Sequence, residues 1–168
     1  MGVNKLLNIS GLKQESLLDG NSMRTVIFFQ GCSHACKGCQ NKETHSFNIN
    51  TLMSIKSLIA YIESDILSDG VTFSGGCPMC QKNLDDLIFF AKEIKKLNKD
   101  IWCYCGEKYE ELNDKQKEFL QYIDVLIDGK FEIENRDINL RFRGSTNQRI
   151  IDVKKSLQDG KVILWDEW

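Results

Sequence analysis

Proline is almost missing from this chain, with Pro78 its single instance in 168 residues. That scarcity, with no low-complexity tract or repeat, excludes proline-rich linkers and stalks. Positive charge is not in excess either: 22 Lys and Arg against 24 Asp and Glu leave a formal net charge of −2. A nucleic-acid surface normally shows net basic character, so no nucleic-acid partner is expected. Long hydrophobic runs are lacking as well. The first twenty residues hold no apolar stretch long enough for a secretory signal, and no later segment approaches membrane-spanning length. The expected location is the cytoplasm, without membrane contact. With 42% hydrophobic and 27% charged residues, the chain can bury one core and reads as a single domain over 1–168.

Cysteine, by contrast, occurs seven times. In a reducing cytosol, thiols in such number serve as metal ligands or core residues rather than as a disulfide framework, and their odd count agrees.

Apolar periodicity alternates between strand and helix. A short strand is expected over Lys5 to Ile9 and a buried one over Arg24 to Gln30. From Thr51, a candidate cap, Leu52, Ile55, Leu58, Ile59, Ile62 and Ile66 recur at helical spacing. Val71 to Ser74 reads as a strand, Leu84 to Leu97 as a helix, Ile101 to Cys105 as a strand, Tyr109 to Tyr122 as a helix and Asp124 to Ile127 as a strand. The alternation predicts an α/β fold with right-handed crossovers and a mostly parallel sheet. About four such units fall short of the roughly 250 residues of a closed eight-unit barrel, so a partial, open βα barrel is expected. Its open side would admit something as large as a loop of another protein.

The unusual residues all follow predicted strands and so gather at the carboxyl edge of the sheet, where α/β folds bind ligands. Foremost is GCSHACKGCQN (31–41), with Cys32, Cys36 and Cys39. This spacing lets one loop wrap three corners of an iron–sulfur cube and leaves the fourth iron without a protein ligand. A plainer reading adds His34 or His45 to make a structural Cys₃His zinc knot, although His34 is trapped between two ligands. Cys77 and Cys80 follow one strand, and Cys103 and Cys105 share a face of the next. If those strands are neighbours, four thiols could hold zinc or a second cluster; otherwise these are small core residues.

Together with TFSGGCP (72–78), IWCYCGEKYEEL (101–112), DVLIDGKF (124–131) and RGSTNQRIIDV (143–153), the cysteine loop resembles the radical S-adenosylmethionine (SAM) enzymes. Within them it is most similar to the group that activates anaerobic ribonucleoside-triphosphate reductases, and the resemblance covers most of the chain. It implies a [4Fe-4S] cluster on Cys32, Cys36 and Cys39 whose open iron chelates the methionine end of SAM. It further implies reductive cleavage of SAM to a 5′-deoxyadenosyl radical, which makes a glycyl radical in the glycyl radical domain of the reductase. Ser74, Gly75 and Gly76 would meet the methionine moiety, and Gly38, Cys39 and Gln40 the adenine. A flavodoxin or ferredoxin would deliver the electron, and a homodimer would fit the family. Two positions depart from the pattern: Cys77 stands where an acidic residue is usual, and Gln40 where an aromatic one is frequent. Other substrates remain open at this point, namely another glycyl radical enzyme or a small molecule, as does a non-catalytic zinc module.

Four of the five arginines, Arg136, Arg141, Arg143 and Arg149, fall within fourteen residues. Arginine rather than lysine suggests bidentate recognition of carboxylate or backbone carbonyl. Arg143 is the candidate for a contact to SAM or the reductase, whereas Arg136 and Arg141 read as pairing with nearby acids. Asp128 is either a carboxylate facing the site or a turn acid before Gly129. Asn147, with Ser145 and Gln148, is a candidate hydrogen-bonding partner for a ligand, unless these residues satisfy only their own backbone. Trp102 and Tyr104 read as packing residues.

Overall fold

Short runs of β-branched and aromatic residues, buried on both faces, make the centre of one sheet. The computed structural model describes residues 5–49 and 51–166. Its strands are β1 (Leu6–Ser16), β2 (Arg24–Phe29), β3 (Leu52–Ser54), β4 (Gly70–Gly75), β5 (Asp100–Tyr104), β6 (Val125–Asp128) and β7 (Arg149–Asp152). The sheet order is β3-β1-β2-β4-β5-β6-β7. The four central strands β2, β4, β5 and β6 run parallel. The outer strands β1, β3 and β7 pair antiparallel. The sheet does not close, as the partial, open barrel requires.

Helices α1 (Ile55–Ser64), α2 (Leu84–Lys96), α3 (Asp114–Leu120) and α4 (Val153–Asp159) follow β3, β4, β5 and β7. Alternate strand residues Ile27, Phe29, Phe73, Cys103 and Leu126 form one core with Leu58, Leu87, Phe90, Ile94 and Phe119 from the helices. Phe73 is its centre: it stacks on Phe90 at 5.5 Å between ring centroids and on Phe119 at 6.2 Å, and meets Phe29 edge-on at 5.3 Å. The intervening residues Trp102, Val125 and Ile127 point to the other face and pack with Ile150 and Trp165.

A buried arginine fixes the amino ends of the central strands. Arg24, 1% exposed, donates from Nη1 to both carboxylate oxygens of Asp100 at 2.8 and 2.9 Å and from Nη2 to the Val71 carbonyl at 2.8 Å. Burying that cation is tolerable only because its N–H groups are matched in this way.

The elements differ from expectation in three places. β1 runs on to Ser16, because two register irregularities keep this polar stretch paired with β2. Thr51 does not cap α1: its hydroxyl donates to the Ile9 carbonyl. Ser54 caps instead, accepting from Ser57 N at 3.1 Å, and Ile66 falls beyond the helix, 87% exposed. The expected helix from Tyr109 to Tyr122 is split. A 3-10 turn (Tyr109–Glu111) ends at Leu112, and Asn113 with Gln116 forms a reciprocal capping box that restarts the chain as α3. Among the described residues no helix is long and apolar enough to cross a membrane.

Arg149 on β7 fastens the far edge, donating to Asp128 on β6 and to both carboxylate oxygens of Glu110 at 3.0 and 2.7 Å. Arg149 holds the Glu110 carboxyl down, from the usual 4.5 to about 2. A depressed folded-state value stabilises above the unfolded one and is lost as pH falls through the folded one. Glu110→Gln is therefore expected to lower stability above about pH 4.5, by at most about 1 kcal/mol for so exposed a pair. The difference from the native chain should shrink between pH 4.5 and pH 2 and vanish below, as thermal melts across that range would register.

Candidate functional site

The carboxyl ends of β2 and β4 meet with almost no side chain between them. Gly76 N donates to the Phe29 carbonyl at 2.8 Å and Cys77 N to the Gly31 carbonyl at 3.0 Å. A Cβ on Gly76 would lie 2.3 Å from the Gly31 oxygen, and one on Gly75, whose φ is 89°, would lie 2.7 Å from the Phe29 nitrogen and oxygen. Only glycine allows this approach. Beyond Gly31 the chain loops out and returns, with Gly31 N donating to the Thr44 carbonyl at 2.7 Å and Cys32 N to the His45 carbonyl at 3.0 Å. Gln30 Nε2 closes the loop base on the Ser46 carbonyl at 2.7 Å.

The loop so anchored carries Cys32, Cys36 and Cys39, all free and half-buried. Their thiols line one cavity of about 130 Å³ with Gly75, Gly76 and Gln148. Burial pushes the Cys39 thiol up, while Asn41 N, 3.4 Å from its sulfur, opposes that. Three soft thiols converging on a cavity walled by bare backbone are the donor set of an iron–sulfur cluster lacking its fourth protein ligand. Beside the cavity, Asn147 Oδ1 is the single buried side-chain polar atom without a partner among the described residues. Its amide nitrogen is held by the Lys130 carbonyl at 2.8 Å, so the orphan acceptor is fixed in place. The residues present fit a cluster with a polar organic ligand alongside.

The remaining candidates are spread around this centre. Gly38, with φ of 74°, sits in the cysteine loop over Ile133. Ser74 is nearly buried on β4 opposite Phe28 of β2, one residue short of the glycine pair. Gln40 and Arg143 line a second, larger cavity of about 540 Å³ on the sheet face away from α1–α3, and Tyr104 walls both cavities. Arg143 also donates to the Gln148 carbonyl. Arg141 lies over the Phe142 ring at 4.9 Å.

Asp128 does not face the cavity. It is 0% exposed, on the strand face it shares with Leu126, and its carboxylate accepts from Arg149 Nε at 3.0 Å and from Tyr109 N at 2.8 Å. Period-two alternation turns it toward the helices, so it works as a clamp between elements. Ser145 and Gln148 serve the backbone: Gln148 accepts from Gly144 N at 2.9 Å and donates to the Gly129 carbonyl at 3.0 Å, and Ser145 Oγ accepts from Glu132 N at 3.2 Å.

β4 and β5 are neighbours, but Cys77, Cys80, Cys103 and Cys105 do not all meet. Cys103 stays in the core, its thiol 3.6 Å from the Tyr104 carbonyl. Cys77, Cys80 and Cys105 instead gather with His34 and Glu107. His34 points away from a knot with the loop cysteines, with Nε2 3.6 Å from Cys80 Sγ and 3.2 Å from Glu107 Oε2. Cys80 and then Glu107 hold the imidazole up at about 10. Glu107 carried no signal in the sequence beyond standing two residues after a cysteine.

Comparison with known proteins gives concordant results. The model of a family described as a 4Fe-4S single cluster domain matches residues 18–151. A protein of Haemophilus influenzae named anaerobic ribonucleoside-triphosphate reductase-activating protein is 40% identical over 140 residues, covering 80% of this chain and 90% of its own. Proteins of the same name from Enterobacteria phage T4 and Escherichia coli are 35% and 34% identical, each over 79% of this chain, and 86% and 90% of their own lengths are covered. Among solved structures, QueE from Escherichia coli shares the fold with a TM-score of 0.53 at 16% identity, over 73% of this chain and 70% of that one.

The glycine junction yields a direct test. Gly76→Ala forces the Gly31 carbonyl aside and should destabilise the chain by about 1–3 kcal/mol. It should also cut iron and sulfide uptake on anaerobic reconstitution by more than half. Gly11→Ala, whose Cβ would meet nothing closer than 3.8 Å, should leave both unchanged.

Proposed function

Because the chain belongs to the family of anaerobic ribonucleoside-triphosphate reductase-activating proteins, we propose that it generates the glycyl radical of such a reductase, using SAM and a [4Fe-4S] cluster. When bound, cluster and SAM supply a one-electron reductive cleavage that yields methionine and a 5′-deoxyadenosyl radical able to take hydrogen from a backbone glycine. Cys32, Cys36 and Cys39 hold the cluster, and the observation that carries this reading is that all three thiols of the one loop border the cavity walled by Gly75 and Gly76, with the buried Cys77 and Cys105 behind them.

The chain's own residues bind, orient and exclude water. Gly75 and Gly76 present bare backbone where a side chain would bar a ligand's charged methionine end. Asn147 Oδ1 offers a buried acceptor to an N–H or O–H of the same ligand, and desolvation makes leaving it unpaired costly. Gly38, Cys39 and Gln40 flank the adenine, Gln40 from the wall of the larger cavity. Ser74 supports the glycine turn from β4. Arg143, on the rim of that larger cavity, recognises a carbonyl or carboxylate of the incoming glycine loop. The volume of that cavity, about 540 Å³, suits a peptide segment, and closing it over the site keeps water from a reactive carbon radical. A flavodoxin- or ferredoxin-type protein supplies the electron.

Anaerobic protein reconstituted with iron and sulfide, then given dithionite and SAM, is expected to release 5′-deoxyadenosine, and on addition of the reductase to produce the doublet signal of a glycyl radical. Cys36→Ala should reduce both to background. Release of 5′-deoxyadenosine without a radical on the reductase would move the substrate elsewhere, and absence of both would refute the reading.

A further inference from the structure

Four side chains outside the three-cysteine loop set come together with the dimensions of a mononuclear metal site. They are Cys77 and Cys80 after β4, His34 from between two loop cysteines, and Glu107 after β5, and their ligand atoms all lie within 4.8 Å of one another. Zinc bonds of about 2.3 Å to sulfur and about 2.0–2.2 Å to nitrogen or oxygen place tetrahedral ligand pairs roughly 3.3–3.8 Å apart. The separations here are 3.6 Å for Cys80 Sγ to His34 Nε2, 3.2 Å for His34 Nε2 to Glu107 Oε2, 3.8 Å for Cys77 Sγ to Glu107 Oε2 and 3.9 Å for Cys80 Sγ to Glu107 Oε1. These four separations lie close to that range, and every pair of ligand atoms stays within 4.8 Å. A cube, which puts each thiolate on its own iron, spreads its ligands more widely.

The surroundings are built for it. Cys77 and Cys80 bracket a tight 3-10 turn (Pro78–Cys80) in the Cys-x₂-Cys spacing of zinc knuckles. Gly106 has no Cβ where one would lie 2.2 Å from the His34 ring, so the ring can seat between the two turns. Around the four stands a second layer: Ser33 Oγ is 3.1 Å from Cys80 Sγ, and Cys105 Sγ donates to Glu107 Oε2 at 3.0 Å. Cys77 is 2% exposed and the His34 side chain 9%, while Cys80 and Glu107 form the half-buried side of the group, through which an ion can enter.

We propose that His34, Cys77, Cys80 and Glu107 form a second metal site, for a zinc-class divalent ion, that ties the cysteine loop to the carboxyl ends of β4 and β5. Two thiolates, one imidazole and one carboxylate suit zinc or cobalt better than calcium or magnesium, which take all-oxygen sets. None of Cys32, Cys36 or Cys39 is a ligand, but the two sites adjoin: His34 and Cys77 border the cavity of the three loop thiols, and the Cys80 thiol pairs with that of Cys32.

The test is metal analysis of anaerobically prepared chain loaded with Zn²⁺ and desalted. A chain carrying Cys32→Ala, Cys36→Ala and Cys39→Ala should keep about one zinc, and with Co²⁺ instead should show the ligand-field and thiolate charge-transfer absorption of a tetrahedral site. Adding Cys77→Ser and Cys80→Ser should lower zinc at least tenfold with the far-ultraviolet circular dichroism unchanged. Should the combined variant fail to fold, Cys77→Ser with Cys80→Ser in the otherwise native, cluster-loaded chain should lose zinc and keep its iron. Zinc at background in a folded chain with all four residues intact, or zinc retained after both thiols are removed, would overturn the proposal.

Discussion

Backbone lies on backbone where β2 and β4 end, and the rest of the site depends on that contact. The Gly31 and Phe29 carbonyls accept from Cys77 N and Gly76 N across a gap too narrow for any Cβ. The cysteine loop therefore leaves the sheet at a fixed point, and its half-buried thiols border one cavity with the glycine pair. Hydrogen bonds alone would permit many loop shapes. The absence of two side chains selects one, and the apolar helix-side core around Phe73 holds the strand ends that define it.

The face opposite α1–α3 is finished differently. Trp102, Phe142 and Trp165 meet edge-on, with Trp102 centroids 5.3 Å from Phe142 and 5.1 Å from Trp165. Above this floor the larger cavity opens, walled by Phe28, Tyr104 and Arg143. Tyr104 donates to the Phe142 carbonyl at 2.6 Å, which fixes the partition between the two cavities. A small space bordered by thiols beside a larger one suits a reaction in which a small cofactor acts on a segment of another protein.

Much of this was legible in the residues. The buried strands announce themselves as apolar runs, and Cys32, Cys36 and Cys39 by their spacing, because both signals are local. Where contacts are distant the sequence is silent: His34 and Glu107 meet across 73 positions, and nothing near either names the other. Asp128 shows a signal available but ambiguous. It follows an apolar strand as site residues do, yet its alternation with Ile127 puts it on the helix side, where Arg149 and Tyr109 N occupy it. Thr51 fails as a cap because a three-residue strand, too short to show periodicity, intervenes before α1. β7 escapes for the same reason, four residues whose pairing with β6 only the tertiary structure supplies.

The proposed chemistry needs a cluster held by three thiolates with one iron left to an exogenous ligand. Mössbauer spectroscopy of protein reconstituted anaerobically with ⁵⁷Fe, before and after SAM, measures this directly. One iron of each cluster should change its isomer shift and quadrupole splitting when SAM is added while the other three stay as they were. A cluster whose irons all ignore SAM, or no cluster in protein kept free of oxygen, would contradict it.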